Sequence, residues 1–362
     1  MDIFNLDLES IGWDFFFEDN FAKYKEEGLI PGRISEVQRK NFVLLTKNGE
    51  IGGRISGKLR FEADEKNKLP VVGDWVALKI ESNTKGTIHA VLPRKSKFSR
   101  KVPGKVTEEQ VMISNVDTVW IVSGLDQDFN IQRIERYLML VSKSGAKPVL
   151  VLNKADICIG LEDRIQELKK IAPTIPIHTV SAELNEGMGE LYQYLGKGKT
   201  VALLGSSGVG KSTITNKILG FNRQKVGSVR EWDSHGRHIT TFRELIILPK
   251  GGMIIDNPGM RELQLWSEDE DINQVFDDIE ILSRQCKFSD CTHTNEPGCA
   301  VKNAIENGGL DLRRYEHYLK LKKELKFLSI KQNGMARVAE KARGKNISKY
   351  AKVVGKLKTR EY

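Results

Sequence analysis

Two absences limit the class of protein before any motif is considered. No run of about 18 consecutive apolar residues, the length of a membrane-spanning helix, occurs in the 362-residue chain. The first ten residues, MDIFNLDLES, are acidic and lead into no apolar segment. They therefore differ from the basic start and apolar centre of a secretory signal. We expect a cytoplasmic protein without a membrane span.

Cysteine is also scarce. The chain has four cysteines. Three of them, Cys286, Cys291 and Cys299, are clustered with His293, whereas Cys158 stands alone. In an intracellular chain such a cluster indicates a metal site rather than disulfides. Three thiolates and one imidazole suit a closed, structural Zn²⁺ site. The alternative to a metal site is that the three cysteines are simply buried and the histidine is unrelated to them. The fourth cysteine, Cys158, is interpreted as a small core residue.

Positive charge is concentrated at one end of the chain. Residues 331–362 contain ten basic and two acidic side chains and so carry +8 of the net charge of +9. A concentrated basic segment favours a polyanion such as RNA, because phosphate contacts release counterions. A solvated helix whose charge only aids solubility is the alternative. The basic run at 94–101 is either an extension of such a surface or a solvated linker.

The chain is too long for one compact core, and its texture changes along the sequence. Residues 1–30 form an acidic, aromatic-rich extension that we expect to be a docking helix or arm. Residues 31–100 contain five or so short β-type runs, including IGGRISGKLRF, a pattern typical of a small OB-type barrel. Residues 110–268 alternate near-continuous apolar strands with helices, which predicts a mainly parallel sheet covered on both faces. Residues 269–362 hold the cysteine cluster, helical segments and the basic tail.

The segment GSSGVGKS, residues 205–212, fills every fixed position of a phosphate-binding loop and lies between an apolar strand and a helix start. In such loops backbone N–H groups surround the phosphates, the lysine neutralises the β and γ oxygens, and the serine hydroxyl faces Mg²⁺. We therefore predict a catalytic role for Lys211 and a magnesium-binding role for Ser212. The predicted phosphate-site residues are Gly205, Ser206, Ser207, Gly208, Val209, Gly210, Lys211, Ser212 and Thr213.

A second motif, Asn153-Lys154-Ala155-Asp156, follows a buried strand and is typical of guanine recognition. The Asp156 carboxylate can accept two parallel N–H bonds from guanine, and adenine lacks one of those donors. Asn153 is predicted to brace the loop, while the stem of Lys154 packs along the base. Ser181-Ala182, at the end of another strand, fits the short backbone clamp that completes a guanine site.

The segment Asp256-Asn257-Pro258-Gly259 follows a third apolar strand and fits the Asp-x-x-Gly motif. In that motif Asp256 would hold Mg²⁺ through water, and the Gly259 N–H would sense the γ-phosphate. A switch threonine that binds Mg²⁺ should lie between the phosphate loop and this motif. Thr240 and Thr241 are both candidates.

The residue that orients the attacking water is not the usual one. Met260 stands where many GTPases have a glutamine, and a thioether cannot polarise water. Hydrolysis is therefore slow in the protein alone, or another group serves. His238, beside the switch threonines, is the best local candidate. A partner that completes such a site can raise the rate about 10³- to 10⁵-fold.

The motifs occur in an unusual order along the chain. An ordinary GTPase has its phosphate loop first, whereas here the guanine motif and the clamp precede the phosphate loop, the switch threonine and the magnesium aspartate. This order is a circular permutation of a GTPase core. It leads both switch segments into the Cys/His module, so loss of the γ-phosphate can move the C-terminal domain.

Together these motifs resemble the ribosome small subunit-dependent GTPase A family, RsgA, also called YjeQ. The resemblance extends from about Gly32 to about Glu324. It rests on PVVGDWV, PRKSKFSR, NKAD, GSSGVGKS, GRHITT, DNPG and CKFSDCTHTNEPGCAV. The family usually has threonine at the positions of Ile239 and Asn257. The first difference leaves the choice between Thr240 and Thr241 open, whereas the second falls in a variable slot.

The resemblance implies a cytoplasmic factor of late small-subunit maturation whose barrel and zinc domain contact ribosomal RNA. It also implies that the subunit stimulates GTP hydrolysis, that His238 is the catalytic histidine, and that one zinc is bound by Cys286, Cys291, His293 and Cys299. We therefore predict a monomeric GTPase that uses GTP or GDP, magnesium and one zinc and leaves the subunit after hydrolysis. Two alternatives are an RNA-binding module with GTP as a structural ligand and a GTPase with another client such as tRNA.

Overall fold

The computed structural model describes residues 6–38, 41–62, 68–102, 108–221, 243–256, 272–273, 275–293 and 296–326. No helix within these ranges is long and apolar enough to cross a membrane. The basic tail at 331–362 lies outside them, so its predicted contact with RNA is not addressed by the structure.

The N-terminal extension folds as a 3₁₀ turn, Leu8–Ile11, followed by helix α1, Phe15–Glu26. The helix begins at Asp14, whose carboxylate accepts a hydrogen bond from the Phe16 N–H (3.1 Å) and so satisfies a backbone donor that has no partner within the helix. The buried rings of α1 pack with Trp13 around Trp75, the first residue of a barrel strand, and the Trp13 and Trp75 ring centroids are 4.7 Å apart. The extension therefore docks on the barrel through aromatic rings.

The barrel has five strands, β1 (Ile30–Gln38), β2 (Asn41–Thr46), β3 (Gly49–Ile55), β4 (Trp75–Ser82) and β5 (Lys85–Val91). The strands pair in the order β1-β2-β3-β5-β4, and β4 also pairs with β1, which closes the sheet. This arrangement confirms the predicted OB-type barrel. Its interior is filled by apolar side chains of the strands and by Leu59, which follows β3.

The β-type pattern of the run IGGRISGKLRF predicted an extended strand throughout, but only its first part is a strand. Strand β3 ends at Ile55, and a short helix α2 (Gly57–Glu62) follows. The Ser56 hydroxyl accepts a hydrogen bond from the Leu59 N–H (3.0 Å), and serine at this position favours a helix start.

A hairpin of β6 (Lys97–Val102) and β7 (Glu108–Ser114) connects the barrel to the larger sheet. It was not predicted, because its first strand coincides with the basic run at 94–101. Three charges of this run are paired with carboxylates of the described residues. Arg94 pairs with the buried Asp74 (2.7 Å), Lys97 pairs with Glu109 (2.9 Å), and Lys95 pairs with Asp14 of the N-terminal extension. The run is thus partly strand and partly ion-paired.

The larger sheet contains β8 (Thr118–Gly124), β9 (Lys147–Asn153), β10 (Ile177–Val180), β11 (Thr200–Leu204), β12 (Glu244–Ile247) and β13 (Met253–Asp256). The order is β10-β9-β8-β11-β13-β12, with only β12 antiparallel to its neighbour. Strand β12 also pairs with β1, so barrel and sheet are continuous. Helices α3 (Ile131–Ser142), α4 (Leu161–Ile171) and α5 (Lys211–Leu219) follow β8, β9 and β11. The predicted mainly parallel sheet is confirmed.

The C-terminal module contains α6 (Asp277–Ser283), α7 (Ala300–Glu306) and a helix α8 that spans 312–326. It docks on α3 through a buried ion-pair network. Glu135 of α3 accepts hydrogen bonds from Arg314 and from His317 of α8. Arg314 also forms two hydrogen bonds of 2.8 Å with Asp278 of α6. The predicted helical module is therefore joined to the sheet domain by charged groups.

One buried arginine connects the N-terminal extension, the barrel and the sheet. Arg33 of β1 is 1% exposed and donates hydrogen bonds to the carbonyl oxygens of Ile11 (2.5 Å) and Asn115 (2.9 Å) and to the Thr200 hydroxyl (3.0 Å). Burial lowers the pKa of its guanidinium to about 10. A buried charge is tolerated when its donors are satisfied, and here the satisfying groups come from three parts of the chain.

Candidate nucleotide-binding site

The predicted guanine and phosphate motifs meet at one edge of the larger sheet. Strands β9, β8 and β11 are parallel neighbours, with β8 in the middle. The guanine motif begins at the end of β9, and the phosphate loop follows β11. Ligands of such sheets bind beyond the carboxyl ends of the strands, so the topology brings together segments that are about 50 residues apart in sequence.

The phosphate loop has the backbone that its glycines predict. Gly208 and Gly210 have φ values of 79° and 96°, in the left-handed region that side chains disfavour. A Cβ on Gly205 would lie 2.3 Å from the Val122 carbonyl oxygen, so only glycine fits there. The Lys211 ammonium donates hydrogen bonds to the carbonyl oxygens of Gly205 (2.8 Å) and Ser206 (2.5 Å). The lysine thus folds back over the loop where phosphates would bind.

Asn153 bridges the two motifs. It is buried, and its side-chain amide donates a hydrogen bond to the Val209 carbonyl oxygen of the phosphate loop (2.8 Å). Its side-chain oxygen accepts one from the Ala182 N–H in the predicted clamp (3.0 Å). One residue of the guanine motif therefore fixes both the phosphate loop and the clamp, which gives the predicted bracing role a specific geometry.

The other guanine-motif side chains lie nearer solvent. Asp156 is exposed in a 3₁₀ turn, Ala155–Ile157, so its carboxylate is free to meet a base from outside. Lys154 has a φ of 66°, and its ammonium donates a hydrogen bond to the Asp126 carboxylate (2.6 Å). This hydrogen bond holds the pKa of Asp126 below its usual value.

The clamp is held by its own short loop. The Ser181 N–H and the Glu186 carbonyl oxygen form a 3.0 Å hydrogen bond, as do the Glu186 N–H and the Ser181 carbonyl oxygen. The Ser181 hydroxyl also accepts a hydrogen bond from the Leu184 N–H (3.2 Å). The backbone at Ala182 is therefore fixed from both sides, as a clamp on a base requires.

The loop between β8 and α3, residues 125–130, also contacts the site, although no sequence motif indicated it. Its Asp128 carboxylate accepts a hydrogen bond from the Ser206 hydroxyl in the phosphate loop (2.6 Å) and pairs with Arg133 of α3 (2.8 Å). The hydrogen bond from Ser206, followed by the pairing with Arg133, holds the pKa of Asp128 below its usual value. The available signal was a pair of aspartates directly after an apolar strand.

The magnesium side of the site is only partly described. Ser212 lies in the first turn of α5 and is exposed. Asp256 is the last residue of β13, which places it at the same edge of the sheet as the phosphate loop. The predicted His238, Thr240, Thr241 and Gly259 lie outside the described residues.

The predicted metal ligands Cys286, Cys291, His293 and Cys299 come together, with their ligand atoms all within 4.8 Å of one another. The His293 Nδ1 atom lies 3.5 Å from the sulfur atoms of both Cys286 and Cys299, and these sulfur atoms are 4.0 Å apart. Tetrahedral zinc with bonds of about 2.3 Å to sulfur and about 2.0 Å to nitrogen gives spacings of about 3.8 and 3.5 Å. These residues therefore fit a zinc ion.

Two contacts around the cluster support this fit. The Nε2 atom of His293, which is the nitrogen away from the sulfur atoms, lies 3.1 Å from the Ser283 hydroxyl. Such a partner fixes the ring of a metal-binding histidine. The Cys299 sulfur also accepts a hydrogen bond from the Lys302 N–H at the start of α7 (3.4 Å), which fixes the position of this sulfur. The cluster thus links the end of α6 to the start of α7.

This chain is similar to known proteins that share one family name. A family model described as RsgA GTPase matches residues 91–266. The small ribosomal subunit biogenesis GTPase RsgA of Opitutus terrae is 43% identical over 350 residues, which cover 94% of this chain and 95% of that protein. The small ribosomal subunit biogenesis GTPase RsgA 1 of Oceanobacillus iheyensis is 43% identical over 339 residues, with coverage of 92% and 97%.

Two solved structures are also similar. YjeQ from Thermotoga maritima is 30% identical in sequence and has a TM-score of 0.61, covering 82% of this chain and 98% of that one. YloQ, described as a circularly permuted GTPase, is 26% identical and has a TM-score of 0.58, covering 82% of this chain and 95% of that one. Both likenesses thus extend over most of this chain.

Proposed function

This chain belongs to the RsgA GTPase family, and we propose that the edge of the sheet beyond β8, β9 and β11 is its GTP site. The protein is a GTPase that acts in biogenesis of the small ribosomal subunit. The observation that carries the site assignment is the pair of Asn153 hydrogen bonds, which join the guanine motif to the phosphate loop and to the clamp. A base and its phosphates can therefore be held by one rigid unit.

Guanine is recognised by Asp156 and by the clamp. The exposed Asp156 carboxylate accepts hydrogen bonds from the ring N–H and the exocyclic amine of guanine, and Lys154 lies along the base. The backbone at Ser181 and Ala182 meets the opposite edge of the base. Adenine leaves one of these hydrogen bonds unmade, and such a mismatch in a site built on hydrogen bonds can cost about 10⁴-fold.

The phosphates are held by the backbone of Gly205–Thr213 and by Lys211. Ser212 and Asp256, with Thr240 or Thr241, are the residues that hold Mg²⁺, which neutralises charge on the phosphate oxygens when bound. Water attacks the γ-phosphorus, the bond to the β-γ bridging oxygen breaks, and the products are GDP and phosphate. We assign the orientation of this water to His238 and sensing of the γ-phosphate to the Gly259 N–H.

The cysteine cluster has a structural role in this proposal. Four protein ligands leave no open coordination position, so the chemistry that zinc supplies is cross-linking of the segment between α6 and α7. Helix α6 is linked to α3 through Arg314 of α8, which pairs with both Asp278 and Glu135. We also propose domain boundaries near residues 31, 110 and 269, which separate the extension, the barrel, the GTPase domain and the zinc module.

For the partner, we assign contact with ribosomal RNA to the barrel, the zinc module and the basic tail, by a monomeric protein in the cytoplasm. The net +8 at residues 331–362 supports a polyanionic partner. Hydrolysis is proposed to release the protein from the subunit.

The test is GTP turnover by the purified protein, alone and with added small subunits, large subunits or tRNA. The Lys211→Ala variant is the blank. Stimulation by small subunits alone is expected, because the site lacks the usual glutamine at Met260. Stimulation by tRNA alone would favour a different client. Tight GTP binding without turnover in any mixture would favour an RNA-binding module that uses GTP as a structural ligand.

A further inference from the structure

We propose that the β8–α3 loop, residues 125–130, is a positioning element that aligns the two halves of the nucleotide site. Asp126 sets the lysine on the guanine side, and Asp128 sets the phosphate loop. This assignment rests on the proposed GTP site and deepens it, since neither aspartate belongs to the motifs that recognise the base or the phosphates.

The strand order gives this loop its position. Strand β8 lies between β9, which ends in the guanine motif, and β11, which leads into the phosphate loop. A loop that leaves the end of β8 therefore has one motif on each side. It is fastened to β9 by the Leu125 N–H, which donates a hydrogen bond to the Asn153 carbonyl oxygen (2.8 Å). It is fastened to α4 by Arg164, whose guanidinium donates to the Leu125 carbonyl oxygen (2.6 Å).

On the guanine side, Asp126 fixes Lys154. The 2.6 Å hydrogen bond between the Lys154 ammonium and the Asp126 carboxylate joins opposite charges that are both partly buried. Lys154 also has a left-handed backbone, a conformation that a residue with a side chain holds only when its surroundings enforce it. With its ammonium anchored at Asp126, the lysine stem has one path, which runs beside the position of the base.

On the phosphate side, Asp128 fixes Ser206. The Ser206 hydroxyl donates to Asp128 (2.6 Å), and the Ser206 carbonyl oxygen accepts a hydrogen bond from the Lys211 ammonium (2.5 Å). Asp128 is in turn paired with Arg133 in the first turn of α3 (2.8 Å). A chain of contacts thus runs from α3 through Asp128 and Ser206 to the lysine that meets the phosphates.

Both carboxylates contact nucleotide-binding residues rather than the core, and their side chains are 25% and 40% exposed. Exposed ion pairs contribute little to stability. Their loss should therefore change nucleotide affinity more than it changes the stability of the fold.

The test uses Asp126→Asn, Asp128→Asn, Ser206→Ala and the double variant of the last two. The matched control is Asp163→Asn, which makes the same chemical change at an exposed site on α4. Dissociation constants are measured with a fluorescent GDP, and GTP and GMP are measured by competition. Thermal unfolding of each variant shows whether the fold is intact.

The two aspartates should give different patterns. Asp126→Asn is expected to weaken GTP, GDP and GMP alike, by about 10-fold, because a hydrogen bond between charged groups is among the stronger ones. Asp128→Asn is expected to weaken GTP and GDP by a similar factor and to leave GMP unchanged, because GMP lacks the phosphates that Lys211 meets. The double variant of Asp128→Asn and Ser206→Ala should bind no more weakly than the single variant with the lower affinity. Both changes act on one contact, because Asp128→Asn removes the charge of the acceptor and Ser206→Ala removes the donor.

Two results would overturn the assignment. If Asp126→Asn and Asp128→Asn bind all three nucleotides as Asp163→Asn does, the loop does not position the site. If every variant loses affinity for all three nucleotides in proportion to its thermal destabilisation, the role is merely structural. Equal affinity of the wild type and Lys211→Ala would instead overturn the proposed GTP site itself, so the two failures are distinguishable.

Discussion

Two adjacent residues of α3 form ion pairs with helix α8, and the two pairs differ in burial. Glu135 is 1% exposed and accepts hydrogen bonds from Arg314 and His317. Arg136 pairs with Glu324 at 2.8 and 3.0 Å, and these two side chains are 36% and 35% exposed. Both pairs join the sheet domain to the C-terminal module, so they allow a direct comparison of buried and exposed charges at one interface.

We predict that Glu135→Ala destabilises the protein far more than Glu324→Ala. Removing one partner of a buried ion pair costs about 3–5 kcal/mol, because the remaining charge is left uncompensated. Arg314 keeps its two hydrogen bonds to Asp278, so we expect the lower end, about 3 kcal/mol. The exposed pair should contribute about 1 kcal/mol or less. The free energies of unfolding of the two variants should therefore differ by about 2 kcal/mol.

The measurement is urea unfolding followed by circular dichroism, at low and at high salt. The effect of Glu324→Ala should shrink at high salt, because solvent ions screen exposed charges, whereas that of Glu135→Ala should persist. Glu135→Gln, which keeps an acceptor of similar shape, should lie between the wild type and Glu135→Ala. Equal destabilisation by the two alanine variants would refute the reasoning that burial determines the strength of this interface.

Four further predictions concern other parts of the molecule. Asn153→Ala leaves two buried backbone groups unpaired, and each unpaired group costs about 1–3 kcal/mol. Calorimetry should therefore show that the affinity for GDP falls at least about 10-fold. Unchanged affinity would contradict the bridging role of Asn153. Arg33→Met should destabilise the protein by about 3 kcal/mol and expose the N-terminal helix to protease. Arg33→Lys should be cleaved more slowly than Arg33→Met but faster than the wild type. If Arg33→Met resists protease as well as the wild type does, Arg33 does not hold the N-terminal extension in place. Metal analysis should find one zinc per chain in the wild type. Cys299→Ser should lose this zinc and become sensitive to protease near α7, while its affinity for GDP is unchanged. A metal-free wild type would rule out the zinc site. The lowered pKa of Asp126 keeps its carboxylate ionised, so the contact with Lys154 should stabilise the fold by a constant amount above about pH 4. This contribution should be lost as the pH falls through the lowered pKa, where the urea midpoints of the wild type and Asp126→Asn should converge. A difference between the two midpoints that persists in strong acid would contradict this role of Asp126.

Much of the nucleotide site could be predicted from the sequence because its motifs are local. The GSSGVGKS segment needs only a strand before it and a helix after it, and both are readable from nearby residues. The four metal ligands fall within fourteen residues, so their approach requires one short loop between α6 and α7. The short β-type runs likewise indicated a barrel before the pairing of β1 with β4 was known.

The remaining features depend on which distant segments become neighbours. A carboxylate at Asp128 resembles any surface aspartate until the order β9-β8-β11 places it beside Ser206. The sequence also gives no sign that Arg33 is buried or that Glu135 faces a helix about 180 residues away, since charged residues are usually exposed. The chemistry of each motif was thus determined by spacing along the chain, because neighbouring residues cannot separate. The alignment of those motifs was decided by tertiary structure, because strand order and burial arise only when the whole chain packs.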